Sequence, residues 1–169
     1  MTQTVELMLD AASEALVVEQ WRLLDEAGLP SQAQHRSPSN RPDVNVAAVP
    51  ALDEAREESV AEACRTALPL DVHVGPLTIF GREPVVLVRL VVVSSALLEL
   101  HEAVTRATGT AADDLTAPGR WVPHVTLAHR LPRDQLSRAL ALLPPADAAV
   151  RLDTARRWDS QARRSWLLV

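Results

Sequence analysis

The amino-acid sequence predicts an α+β protein of two pseudo-symmetric lobes, each an antiparallel sheet with flanking helices, around a central cleft. Three observations carry this expectation. Apolar residues alternate in short segments and recur at helical spacing in the stretches between them; the order strand-helix-strand-helix occurs twice; and the residues that punctuate the two copies keep one ungapped register.

Each element follows from a local signal. Thr4 to Leu9 alternates through Val5, Leu7 and Leu9, the period-2 pattern of a half-buried strand, and Ala11 to Ala27 has helical apolar spacing that Gly28 ends. Leu29 to Arg41 holds two Pro, three Ser and no periodicity, so it reads as a long loop of the kind that borders binding sites. Pro42 to Val49 is strand-like, Leu52 to Leu68 is helical with Val60, Ala63, Cys64 and Ala67 on its apolar face, and Leu70 to Phe80 suggests a strand broken at Gly75-Pro76. The grammar then restarts: a strand from Pro84 to Val93, a helix from a Ser94 cap to Gly109, a polar loop to Arg120, and a strand from Pro123 to His129. A helix from Pro132 to Leu143 and two strands, Ala149 to Trp158 and Ser165 to Val169, complete the chain.

One ungapped frame sets Val5 on Val86, Leu7 on Val88, Leu9 on Leu90, Ser13 on Ser94, Gly28 on Gly109, Pro42 on Pro123 and Val44 on Val125. Apolar matches come cheaply in so Ala- and Val-rich a chain. A helix-stopping Gly and a strand-opening Pro in the same frame do not, and they point to an internal repeat of residues 1–81 and 82–169 within one bilobal domain spanning 1–169.

Composition narrows the function classes. At 169 residues and 47% apolar, the chain can bury one substantial core. It has no apolar run long enough to span a bilayer and no basic-then-apolar leader pattern, so a soluble, cytoplasmic protein is expected. The single Cys64 excludes an internal disulfide and a cysteine zinc cluster, and its helical setting predicts a buried small apolar residue. A net charge of −5 argues against holding long nucleic acid by phosphate neutralisation. Positive charge is in local excess only at Arg151, Arg156, Arg157, Arg163 and Arg164, read as a solvated hairpin in preference to a phosphate-contacting rim. A monomer without cofactor or metal is expected.

The repeat also locates a cleft. Its frame pairs Asp43 with His124 and Asn45 with Thr126, and residues i and i+2 of a strand share a face. His124 and Thr126 therefore point away from the core positions Val125 and Leu127, and Asp43 and Asn45 away from Val44 and Val46. An approximate twofold axis brings the two polar pairs face to face. His129 falls either at the edge of that cleft or in solvent; His35, in the long loop, either closes over a ligand or is simply exposed; Trp121 either stacks on a base or serves the core. His73 and His101 read as structural.

Trp121-Val122-Pro123-His124-Val125-Thr126-Leu127-Ala128 resembles the second signature of the 2H phosphoesterase superfamily, in particular its bacterial 2′-5′ RNA ligase-like branch. Ser39-Asn40-Arg41-Pro42 lies where that family has the run-up to its first His-x-Thr, and the loop from Leu29 to His35 and the pair Leu100-His101 are also similar to it. The resemblance implies transesterification or hydrolysis, without metal, at a 2′,3′-cyclic phosphate or 2′-5′ phosphodiester of a nucleotide or RNA end. One imidazole takes a proton from the attacking group, another gives one to the departing ribose oxygen, and Thr hydroxyls hold the phosphate.

The chain departs from the family at the first motif, which is Asp43-Val44-Asn45. The Asn45 amide can donate to phosphate as a Thr hydroxyl does. Asp43 can accept a proton, but a carboxylate of ordinary pKa, about 3.9, is a weak base at neutral pH and repels phosphate unless a neighbour such as Arg41 offsets its charge or burial raises its pKa. A weakened enzyme and a non-catalytic binder of nucleotides or RNA ends both accommodate this pattern.

Overall fold

The computed structural model describes residues 2–145 and 148–169. Its elements run β1 (Gln3–Leu9), α1 (Ala11–Glu26), β2 (Asp43–Val49), α2 (Glu54–Ala67), β3 (Leu70–Phe80), β4 (Val85–Val92), α3 (Ser95–Thr108), β5 (His124–Leu131), α4 (Leu136–Leu142), β6 (Ala148–Asp159) and β7 (Arg164–Leu167).

Local chemistry sets the boundaries. The Asp10 carboxylate accepts from the Ser13 N–H at 2.8 Å and starts α1, and the Ser94 hydroxyl does the same for α3 with Leu97. Gly28 and Gly109 follow the two helices at φ of 70° and 68°, a region in which other residues are strained. Ser13 and Ser94 share a frame position but not a role: Ser94 caps, whereas Ser13 lies within the first turn of α1 and its hydroxyl accepts from the Arg151 N–H.

All strand pairs are antiparallel, in the order β2-β1-β6-β3-β4-β5, with β7 on β6. Exchanging β1, β2 and β3 for β4, β5 and β6 reverses that order and so leaves every pair of neighbours unchanged. Each half of the sheet therefore holds two strands from one half of the sequence and a third from the other. The two expected sheets meet at the β3–β6 seam as one hydrogen-bonded network. The end strands β2 and β5 do not pair, yet they contact each other, so the sheet curls until its two ends face across a cleft.

The helices cross over as well: α1 packs on β5 and β6, and α3 on β2. Between helices and sheet lies the core, in which Leu7, Val46, Leu87, Leu97 and Leu127 have no exposed surface. Each such side chain contributes on the order of 1.5–3 kcal/mol. Cys64 is part of this core, and burial pushes its thiol up to about 11, so it behaves as a small apolar residue. β3 is continuous where the sequence suggested a break. Its register against β4 shifts between Val74 and Leu77, so Gly75-Pro76 makes a bulge at which the strand passes from pairing with both β6 and β4 to pairing with β4 alone. None of the described helices is long and apolar enough to cross a membrane.

Candidate active site

β2 and β5 present the same burial alternation over their first five residues, with Val44, Val46, Val125 and Leu127 buried and Asp43, Asn45, His124 and Thr126 half-buried on the other face. The four polar side chains line one cavity of about 210 Å³, together with Trp21, Arg41 and His129. The facing arrangement expected from the repeat frame is thus what the curled sheet produces.

Two indoles hold the site strands. Trp21 on α1 donates its Nε1–H to the Thr126 carbonyl at 2.9 Å, and Trp121 donates to the Asn45 carbonyl at 2.8 Å. Trp121 also stacks on His101, with ring centroids 4.0 Å apart and planes 5° from parallel. The buried His101 ring bonds through Nε2 to the Thr116 carbonyl, and burial lowers its pKa, in keeping with a structural role.

His124 Nδ1 lies 2.7 Å from the Val122 carbonyl. A carbonyl only accepts, so Nδ1 carries the hydrogen, and in the neutral ring the free lone pair is on Nε2. The edge of Phe80 meets this imidazole at 4.8 Å between centroids. Neither the Thr126 hydroxyl nor the Asn45 amide hydrogen-bonds to another described side chain or backbone group, and the buried Asn45 Oδ1 has no partner.

Asp43 has a different neighbour from the one expected. Arg41 is held by Glu14, its Nε 2.9 Å from Glu14 Oε2, and although it lines the cavity it does not pair with Asp43. The cation nearest Asp43 is Arg156 of β6, with Nη2 3.9 Å from Oδ1, but Arg156 donates from Nε to Glu6 at 2.6 Å. Burial, with the Glu6 charge adding to it and Arg156 opposing it, pushes Asp43 up to about 8.

Wider spaces open on either side. A polar one of about 470 Å³ is bordered by His35, Arg41, Asp43, His129 and Arg163, and a more apolar one of about 450 Å³ by Phe80, Leu115, Trp121, Val122 and His124. His129 therefore lies at the cleft edge, where burial first, and then the charges of His35 and His124, lower its pKa. Of the arginines read as a solvated hairpin, Arg156 and Arg157 are instead buried: Arg156 pairs with Glu6, while Arg157 pairs with Glu57 and lies over the Trp166 ring at 4.8 Å. Arg151 pairs with Asp71, and Arg163 borders the polar space.

Sequence reasoning missed Trp21, Glu6 and Arg156. A charge on β1, whose other polar residues Gln3 and Thr4 are neutral, was the one available sign of Glu6; nothing local marks Trp21 as a cleft residue.

A family model described as the 2′-5′ RNA ligase superfamily matches residues 10–164. The chain belongs to the 2′-5′ RNA ligase superfamily. Several solved structures share its fold across nearly their whole length. TT0787 of Thermus thermophilus superposes with a TM-score of 0.64 at 16% identity, covering 100% of this chain and 96% of that one. E. coli LigT complexed with 3′-AMP gives 0.58 at 10% identity, covering 98% and 91%. Kluyveromyces marxianus Usb1 with uridine monophosphate gives 0.52 at 12%, covering 99% and 97%. At such identities the likeness is one of fold. No curated protein matches the sequence.

Proposed function

We propose that this 2′-5′ RNA ligase superfamily protein is a 2H-type phosphoesterase acting on a 2′,3′-cyclic phosphate or a 2′-5′ phosphodiester of a nucleotide or RNA end, by acid/base chemistry that the altered first motif weakens. The observation that carries this reading is the convergence of His124 and Thr126 with Asp43 and Asn45 on one cavity of about 210 Å³. That space suits a phosphoryl group. The Thr126 hydroxyl and the Asn45 amide, which have no hydrogen-bond partner among the described residues, are donors for its non-bridging oxygens. The wider spaces on either side accept the sugar and base, with Phe80 and Trp121 forming an aromatic wall beside His124. The 3′-AMP and uridine monophosphate held by LigT and Usb1, which have the same fold, support a nucleotide-sized ligand.

The test is turnover of 2′,3′-cyclic nucleotides and short 2′-5′ linked oligonucleotides by the natural chain and by the Asp43→His/Asn45→Thr double variant. Turnover by the natural chain, raised in the double variant by up to about 10²- to 10⁴-fold, supports the reading. Saturable binding with turnover only in the double variant makes the natural chain a non-catalytic binder. Neither binding nor turnover in either protein removes the phosphoester ligand.

A further inference from the structure

We infer, building on the reading above, that Asp43 supplies the proton to the leaving ribose oxygen while His124 is the base, and that Glu6 acts as a positioning residue that keeps the Asp43 proton in place. The absent first imidazole is thereby replaced by a carboxylic acid and not by a carboxylate.

The charges around Asp43 support this. Arg156 is the cation nearest it, and its guanidinium is already used: Nε donates to Glu6 Oε2 at 2.6 Å and Nη1 to the Ser39 carbonyl at 2.8 Å, leaving Nη2 3.9 Å from Asp43 Oδ1, beyond hydrogen-bond reach. Glu6 also accepts from the Thr4 hydroxyl at 2.7 Å, so it is the better hydrogen-bonded carboxyl of the two. Arg41, from the loop before β2, is held by Glu14. From β5 come His124 and His129, from the long loop His35, and from the β6–β7 turn Arg163, all bordering the same spaces. Two carboxyl groups thus share one guanidinium, and Glu6 has it. No described residue donates a hydrogen bond to the Asp43 carboxyl, which burial and the Glu6 charge disfavour as an anion.

The other side of the cavity has the complementary polarity. With Nδ1–H committed to the Val122 carbonyl, neutral His124 offers only the Nε2 lone pair to the cleft. In hydrolysis of a 2′,3′-cyclic phosphate, His124 Nε2 takes a proton from water as its oxygen bonds to phosphorus. The bond from phosphorus to one ribose oxygen breaks, and that oxygen takes the Asp43 proton. The product is a phosphomonoester with a free hydroxyl. His124 has gained one proton and Asp43 has lost one, and transfer through solvent restores both.

Leaving-group dependence tests the assignment, because p-nitrophenolate departs without a proton. Wild type, Asp43→Asn and His124→Ala are assayed on a 2′,3′-cyclic nucleotide and on a 2′-deoxynucleoside 3′-p-nitrophenyl phosphate. Asp43→Asn is expected to lose about 10²- to 10⁴-fold in kcat on the cyclic substrate and less than about tenfold on the nitrophenyl ester, whereas His124→Ala loses on both. Equal losses for Asp43→Asn on the two substrates overturn the inference and leave the phosphoesterase reading standing. No turnover of either substrate by wild type overturns that reading, and the inference with it. Glu6→Gln is expected to move the alkaline limb of kcat/KM to lower pH at unchanged KM, with Glu6→Asp restoring it; an unmoved limb removes Glu6 from the role. A carboxyl ¹³C titration assigned with Asp43→Asn reads the proton without turnover: a midpoint near 8 supports the inference, and one in the ordinary carboxylate range overturns it.

Discussion

Trp21 donates its indole N–H to the carbonyl of Thr126 at 2.9 Å, fixing the strand that carries His124 from a helix in the opposite half of the chain. Trp121 makes the equivalent bond to Asn45. The frame of the repeat does not pair these two tryptophans, so the matching bonds come from different sequence positions. Trp21→Phe keeps most of the buried ring and deletes the donor. The expected cost is about 1–2 kcal/mol in urea denaturation, with kcat reduced because the β5 backbone beneath His124 loses its anchor. Trp121→Phe is expected to cost a similar amount and to act through Asn45.

Arg89 on β4 is 3% exposed and has three neutral partners: the Gln20 amide oxygen at 2.6 Å and the Gly75 and Pro144 carbonyls at 3.2 and 2.6 Å. It ties α1, the β3 bulge and the end of α4 together on the core side of the sheet. Arg89→Met fills much of the same volume but leaves three acceptors without a donor, at a predicted cost of about 3 kcal/mol or more. Chemical denaturation that finds Arg89→Met as stable as wild type would show that these acceptors find other partners.

The raised pKa of Asp43 makes a prediction about stability against pH. The folded carboxyl titrates near 8 and the unfolded one near its ordinary 3.8, so between those values the folded state holds the extra proton. Stability from this group is therefore greatest at low pH and falls as pH rises from about 4 to about 8. Asp43→Asn is expected to flatten that part of the Tm profile and to be more stable than wild type above pH 8. A profile equally steep in both proteins would place Asp43 at an ordinary pKa.

Signals confined to one segment carried much of this structure into the sequence. Period-2 alternation set β2 and β5 with the correct residues on each face, and the Gly28–Gly109 and Pro42–Pro123 register placed Asp43 and Asn45 opposite His124 and Thr126. What could not be read depends on contacts far apart in the chain. The interleaving of β3 and β6 brings Arg156 beside Glu6 and Asp43 across 150 residues of separation between Glu6 and Arg156. For the same reason Arg156 and Arg157, adjacent and apparently solvated in sequence, are buried by β1 and α2. Arg41 stands next but one to Asp43, and its proximity misled, because Glu14 on α1 holds it.

The central claim is that His124 works as a base in a cleft built for a phosphoester. Its most direct measurement is hydrolysis of 2′,3′-cyclic nucleotides by wild type and by His124→Ala, with the fold of the variant checked by circular dichroism. The account predicts measurable turnover by wild type and a loss of about 10²- to 10⁴-fold in the folded variant. A folded His124→Ala protein that hydrolyses the substrate at the wild-type rate would contradict it.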